Sequence, residues 1–376
     1  MTDFTAAVTA LARDLVALDS RSFVSNLPVA DRIESALTGF EIERLDYTDA
    51  AGVAKRVLVA HRGGVGGLAL SGHMDTVPDT GWQDDPWSAR VGPDGVLHGL
   101  GAADMKGPIA AAILAAQALP PSVPVTLLLT TDEETTKQGA RLIARESELV
   151  RRVRPVGIVV VEPTGMNPVR GHRSSIGLTC VATGLQAHSS TGKGRNANWD
   201  LIPFLAEMKT VFQRLRNDPA LQDPDYDPPF SDFNLVIDNH GAAVNVTVPI
   251  ATARIKFRHS AKVDPAPVLA AVHSAADRSG IVVTEAREGF PPDLPADHPF
   301  VCLCARTADR AAGTAPYGTD ASELQAIAPC VVLGPGDIGV AHTPFEAVRI
   351  ADLAGSVRVF MMIAQQVADG PAAWQV

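Results

Sequence analysis

A chain of 376 residues, 46% apolar and 20% charged, has an ordinary globular composition and room for more than one core. Its formal charge of −10 argues against nucleic acid or an anionic membrane as partner, because both reward clustered Lys and Arg. No apolar run reaches the ~20 residues that span a bilayer, no basic-then-apolar leader is visible, and Cys180, Cys302, Cys304 and Cys330 lack disulfide or zinc-site spacing, so free thiols in a cytoplasmic protein are expected.

Apolar residues at helical spacing (Val8, Leu11, Leu15, Leu18) predict a helix over 4–18, and a second is expected over 29–37. Residues 56–61 read as a strand, Gly63–Gly67 as a tight hairpin connection, and 68–71 as the next strand. A strand at 125–131 lies between helices over 109–119 and 139–148, and 158–161 is another short apolar strand. Continuous apolar strands alternating with helices predict an α/β fold on a mainly parallel central sheet. From about Ser174 the pattern changes: strands at 176–182 and 251–257, a helix over 200–215 and a Pro/Asp-rich loop at 218–232 suit a small α+β insert. The first pattern resumes with 300–312, 330–333 and a final helix over 351–367. The expected division is therefore a domain formed by 1–173 and 290–376, interrupted by an insert of 174–289.

Five acidic or imidazole residues recur in one local setting, after an apolar strand and beside Gly or Pro: His73, Asp104, Glu134, Glu162 and His342. Each alone is unremarkable chemistry for a loop. In an open α/β sheet, however, strand carboxyl ends converge on one crevice, where residues distant in sequence can meet. Imidazoles and carboxylates without cysteine suit zinc or a similar first-row ion, and cobalt or manganese would accept the same set. Two imidazoles with three carboxylates exceed one tetrahedral catalytic site and suit two ions sharing a carboxylate. Asp75 stands two residues from His73 and could accept its free ring N–H. Adjacent Glu133 and Glu134 allow one carboxylate to ligate while the other acts as general base.

The segments carrying these residues are SGHMDTVP (71–78), DPW (85–87), GLGAADMKG (99–107), TTDEE (130–134), VVEPT (160–164), GLQAHSS (184–190) and GVAHTPFE (339–346). In this order they resemble the dinuclear zinc exopeptidases and deacylases, a family that includes acetylornithine deacetylase, succinyl-diaminopimelate desuccinylase, aminoacylase and glutamate carboxypeptidase. The resemblance covers nearly the whole chain. It implies a zinc-exopeptidase-like catalytic domain with an inserted lid and dimerisation domain. It further implies one zinc on His73, Asp104 and Glu162, a second on Asp104, Glu134 and His342, and Glu133 as general acid/base. A cis peptide after Asp104 is implied as well. In the lid, His188 would polarise the scissile carbonyl, often from the partner subunit of a homodimer, while Asn245 and Arg258 would bind a substrate carboxylate. GTD (318–320) matches a loop that lines the pocket. Met74, Pro108 and the sequence NVTVP (245–249) depart mildly from the family pattern, and none removes a ligand.

Within the family, EPTGMNPVRGHR (162–173) and YDPPF (226–230) most resemble acetylornithine deacetylase. The implied substrate is a small N-acyl amino acid, N-acetyl-ornithine or an analogue such as N-acetyl-citrulline. Succinyl-diaminopimelate, then a dipeptide or glutamate-carboxypeptidase substrate, are the alternatives. An inactive metal-binding scaffold would require a missing ligand or base. A dinucleotide fold is set aside because Asp104 stands where the third glycine of that fingerprint is needed.

Overall fold

The computed structural model describes residues 2–370. The chain divides into two compact units, one running up to Gly171 and comprising also Leu294–Gly313 and the chain from Thr319, the other comprising His172–Asp293 and Thr314–Gly318.

In chain order the strands are β1 (Glu41–Thr48), β2 (Ala54–Arg62), β3 (Leu68–His73), β4 (Arg90–Val91), β5 (Val96–His98), β6 (Val125–Thr130), β7 (Gly157–Val160), β8 (Val169–His172), β9 (Ser174–Thr183), β10 (Asp232–Asp238), β11 (Ile250–His259), β12 (Val282–Arg287), β13 (Gly313–Ala315), β14 (Cys330–Val332) and β15 (Ala347–Arg349). The large sheet has the order β1-β2-β6-β3-β7-β14-β8-β13. Its centre is parallel (β6, β3, β7 and β14), while β1, β2 and β8 pair antiparallel. Every residue of β3, β6 and β7 is buried. Burial on both faces is why these strands read as unbroken apolar runs. The expected α/β fold with a mainly parallel core is what the chain adopts. Helix Lys106–Ala118 packs on β3 and also meets helices Thr5–Val16 and Ile350–Ala368, so its Ala-rich surface is buried nearly all round. Pro108 falls in the first turn of that helix, where backbone N–H groups have no intrahelical partner.

Two local expectations fail for physical reasons. The Gly63–Gly67 segment is no hairpin, because β6 lies between β2 and β3. Its glycines serve a close crossing instead: Gly67 has φ +82°, and a Cβ there would sit 2.1 Å from the Pro124 carbonyl oxygen. The predicted 139–148 helix is two, Gln138–Glu146 and Glu148–Val153, broken at Ser147, whose side chain accepts the Val150 amide and caps the second helix. β1 gives no apolar strand signal in the sequence, since it carries polar residues on an exposed sheet edge.

The second unit holds the four-stranded antiparallel sheet β10-β11-β9-β12 with helices Asn198–Asn217 and Ala266–Ser279. Its own core includes Leu178, Phe204, Phe257 and Val272. This is the small α+β insert, and β10 begins where the expected loop over 218–232 ends, a strand that its polar, half-exposed residues do not announce. Cys180, Cys304 and Cys330 are buried, and all four cysteines are free. No helix among the described residues is long and apolar enough to cross a membrane.

Candidate metal centre

Four ligand-type residues stand at or just beyond strand ends of the first unit. His73 closes β3, Glu133 and Glu134 follow β6, and Glu162 follows β7. Asp104 precedes helix Lys106–Ala118 and is joined to Met105 by a cis peptide bond, and His342 lies on the loop between β14 and β15. The register of neighbouring parallel strands brings these ends together.

Two groups of donors result, His73–Asp104–Glu162 and Asp104–Glu134–His342, with all ligand atoms of each group within 4.8 Å of one another. His73 Nε2 lies 3.0 Å from Asp104 Oδ1 and 3.7 Å from Glu162 Oε1. His342 Nε2 lies 3.0 Å from Glu134 Oε1 and 3.3 Å from Asp104 Oδ2. A tetrahedral ion with ligands at roughly 2.0–2.2 Å spaces those atoms by about 3.3–3.6 Å, so both groups already have near-ligand spacing. Asp104 offers one oxygen to each.

The charge balance points the same way. Asp75, Asp104, Glu162 and Asp320 are buried, and Glu133 and Glu134 nearly so. The nearest fixed cation to Glu133 is Lys137, 3.5 Å from its Oε1, with its ammonium also donating to the Thr319 carbonyl. Burial raises the Glu134 carboxyl to about 7, against the hydrogen bond from His342. Burial and the Asp104 charge push Glu162 well above the usual carboxylate range, and burial raises Glu133 despite Lys137. Burial alone would depress His73, but Glu162 and Asp104 outweigh it and hold the imidazole well above its usual value. His342 is raised to about 11 by its hydrogen bonds to Asp104 and Glu134. Carboxylates seeking protons beside imidazoles held cationic describe a site short of positive charge. Divalent cations fit that deficit, and the donor set fits zinc or a similar ion.

The surroundings fix these side chains. His73 Nδ1 donates to the carbonyl oxygen of Asp75 at 2.9 Å, which leaves Nε2 facing Asp104. The Asp75 carboxylate, expected to take that ring N–H, is 3.6 Å away and accepts the amides of Glu133 and Glu134 at 3.2 and 3.3 Å instead, with the Ser22 hydroxyl at 2.8 Å. Asp132, at φ +61°, pairs with buried Lys55 at 3.0 Å and accepts the Tyr47 hydroxyl at 2.7 Å. Thr130 donates to Asp320. Sequence reasoning missed Ser22, Tyr47, Lys55, Lys137 and the side chain of Asp320. Of these only Asp320 left a signal, in GTD.

His188, Asn245 and Arg258 belong to the second unit. His188 is exposed, its Nδ1 within 2.8 Å of the Ser190 hydroxyl, and it forms a β-bridge with Val246. The Ser189 amide donates to the Asn245 carbonyl, so His188 and Asn245 are neighbours. Arg258 sits near the far end of β11 and is paired with Asp232 at 2.6 Å, its direct cross-strand partner on β10.

Comparison with known proteins sharpens this picture. Residues 69–366 match the model of Peptidase family M20/M25/M40. The acetylornithine deacetylase of Myxococcus xanthus is 33% identical over 98% of this chain and 98% of its own length. That of Proteus mirabilis is 32% identical over 89% of this chain and 88% of its own. The di-peptidase Dug1p of Saccharomyces cerevisiae shares the fold, with a TM-score of 0.77 at 13% identity over 98% of this chain and 97% of its own. The chain belongs to Peptidase family M20/M25/M40 and is a metal-dependent hydrolase.

Proposed function

We propose that this protein hydrolyses the amide bond of a small N-acyl amino acid, N-acetyl-ornithine or a close analogue such as N-acetyl-citrulline. The observation that carries the reading is the meeting of two donor groups at Asp104, with Glu133 beside them and a member of neither. His73, Asp104 and Glu162 would hold one ion, and Asp104, Glu134 and His342 the other, zinc being the natural occupant. Bound there, two divalent ions supply Lewis-acid polarisation of the acyl carbonyl and acidify water. Glu133 takes the proton of the attacking water as oxygen adds to the acyl carbon. It then delivers that proton to the amine nitrogen as the C–N bond breaks, giving a free carboxylate and an amine. Desolvation keeps the Glu133 carboxyl proton-hungry enough for both transfers, while Lys137 holds its position. His188 would stabilise the developing oxyanion.

The two acetylornithine deacetylases named above, matched over most of their lengths, favour acetyl-amino-acid substrates over succinyl-diaminopimelate or dipeptides. Side-by-side kcat/KM values for acetylornithine, acetylcitrulline, succinyl-diaminopimelate and a dipeptide test this. An acetyl substrate should lead by at least about tenfold, since the site must pair the charged groups of the correct amino acid. A lead for the dipeptide would overturn the assignment.

A homodimer through the second unit is part of this reading. From Ile250 to Arg258 β11 advances eight residues, roughly 27 Å, which sets Asn245 and Arg258 far apart within one unit. A single substrate cannot be gripped by both from one chain. In a dimer, Arg258 of one subunit and His188 with Asn245 of the other can serve the same substrate. Val236 and Ile237, about half exposed on edge strand β10, supply apolar surface for such an interface.

A further inference from the structure

Glu346 ends the segment GVAHTPFE and has no role in the reading above. It is 1% exposed, and a carboxylate so far from water is costly unless its oxygens are satisfied. The amides of Ala103 and Asp104 both donate to its Oε1, each at 2.9 Å. Its backbone is tied down as well. The Glu346 carbonyl accepts the Gly99 amide at 3.3 Å, and the next residue opens β15, where Ala347 pairs with His98 of β5. One residue is thus fastened through its backbone to the start of the loop 99–104 and through its side chain to the loop's end, where Asp104 stands.

His342 lies four residues before Glu346 on the same short segment. Of the donors Asp104, Glu134 and His342, two are thus linked to Glu346, Asp104 through the side-chain bonds to its loop and His342 through four residues of chain. Of His73, Asp104 and Glu162, only Asp104 is. Given the dinuclear reading above, the geometry points to Glu346 as a positioning residue that sets Asp104 and His342 against each other, so that its loss weakens the second metal position before the first. A residue that only stabilised the fold would weaken both positions alike.

The test uses the chelator-stripped full-length chain titrated with Co²⁺, followed by calorimetry and by the visible absorption of the bound ion, with circular dichroism to verify the fold. Wild type, Glu346→Ala and Glu346→Gln are compared, because Gln keeps a side-chain oxygen able to accept both amides. Wild type should take two ions. Glu346→Ala should keep one near wild-type affinity and bind the second about 10–100-fold more weakly. Glu346→Gln should recover most of that loss. Two ions at wild-type affinity in Glu346→Ala, equal weakening of both, or a Gln variant as defective as Ala would overturn the proposal. Fewer than two ions on wild type would overturn the dinuclear reading itself, and this inference with it.

Discussion

Glu133 and Glu134 are adjacent in the chain yet face different partners. Glu134 reaches His342 at 3.0 Å, whereas the ion pair of Glu133 is with Lys137. That split is the structural basis for giving one carboxylate to metal and the other to proton transfer. Glu133→Ala should retain both ions while turnover falls by about 10²–10⁴-fold or more, checked by metal analysis alongside kcat. A variant that stays active would remove Glu133 from the mechanism. The raised carboxyl of Glu134 (about 7) and imidazole of His342 (about 11) set a pH dependence whose sign is fixed. Both must be deprotonated to ligate, so metal uptake releases protons and affinity falls as pH falls. The loss should approach about tenfold per pH unit for each proton displaced. Calorimetry in two buffers of different ionisation heat measures the released protons directly. The candidate donors were legible in sequence because each stands in a recognisable segment, and His73 and Glu162 also at the end of an apolar strand, whereas Asp104 and His342 lie on loops several residues past theirs. Asp75 was legible as a neighbour of His73, but its carboxylate's grip on the Glu133 and Glu134 amides was not, since nothing in the spacing says that β3 and β6 end side by side.

The elements hold the site through buried polar ties between loops. Lys55, on β2, is fully buried and pairs with Asp132 immediately before the Glu133–Glu134 pair. Its ammonium also donates to the carbonyls of Ser22 and Val24, joining that loop to the one carrying Asp75's partner. Lys55→Met leaves Asp132 buried without its cation and should cost about 3–5 kcal/mol of stability. A shift in the denaturant midpoint measures that cost. Turnover should fall as well, because the loop bearing Glu133 loosens. A Lys in a β-strand pattern gives no hint of such a partner 77 positions away, which is why composition and periodicity could not reveal it. The glycine segment at 63–67 failed as a hairpin for a related reason: local turn chemistry does not report which strand inserts between two neighbours in sequence. What determined Gly63 and Gly67 was the approach of Pro124.

At the scale of the whole molecule, the proposed dimer makes each active site dependent on two chains. Mixing Glu133→Ala subunits with His188→Ala subunits then tests the arrangement. Half of randomly paired dimers are mixed, and each mixed dimer has one complete site of two, so activity should return to about a quarter of wild type. No recovery, with exchange of subunits verified by light scattering and tagged chains, would place His188 in the site of its own chain. The broad architecture was legible from the change of pattern near Ser174, where buried parallel strands give way to amphipathic ones. The meeting of the donors at Asp104 remains the claim on which the rest depends. It is tested most directly by titrating the metal-free chain with Zn²⁺ and reading the ion-to-chain ratio at saturation. The account predicts two ions per chain, and a ratio of one or none would contradict it.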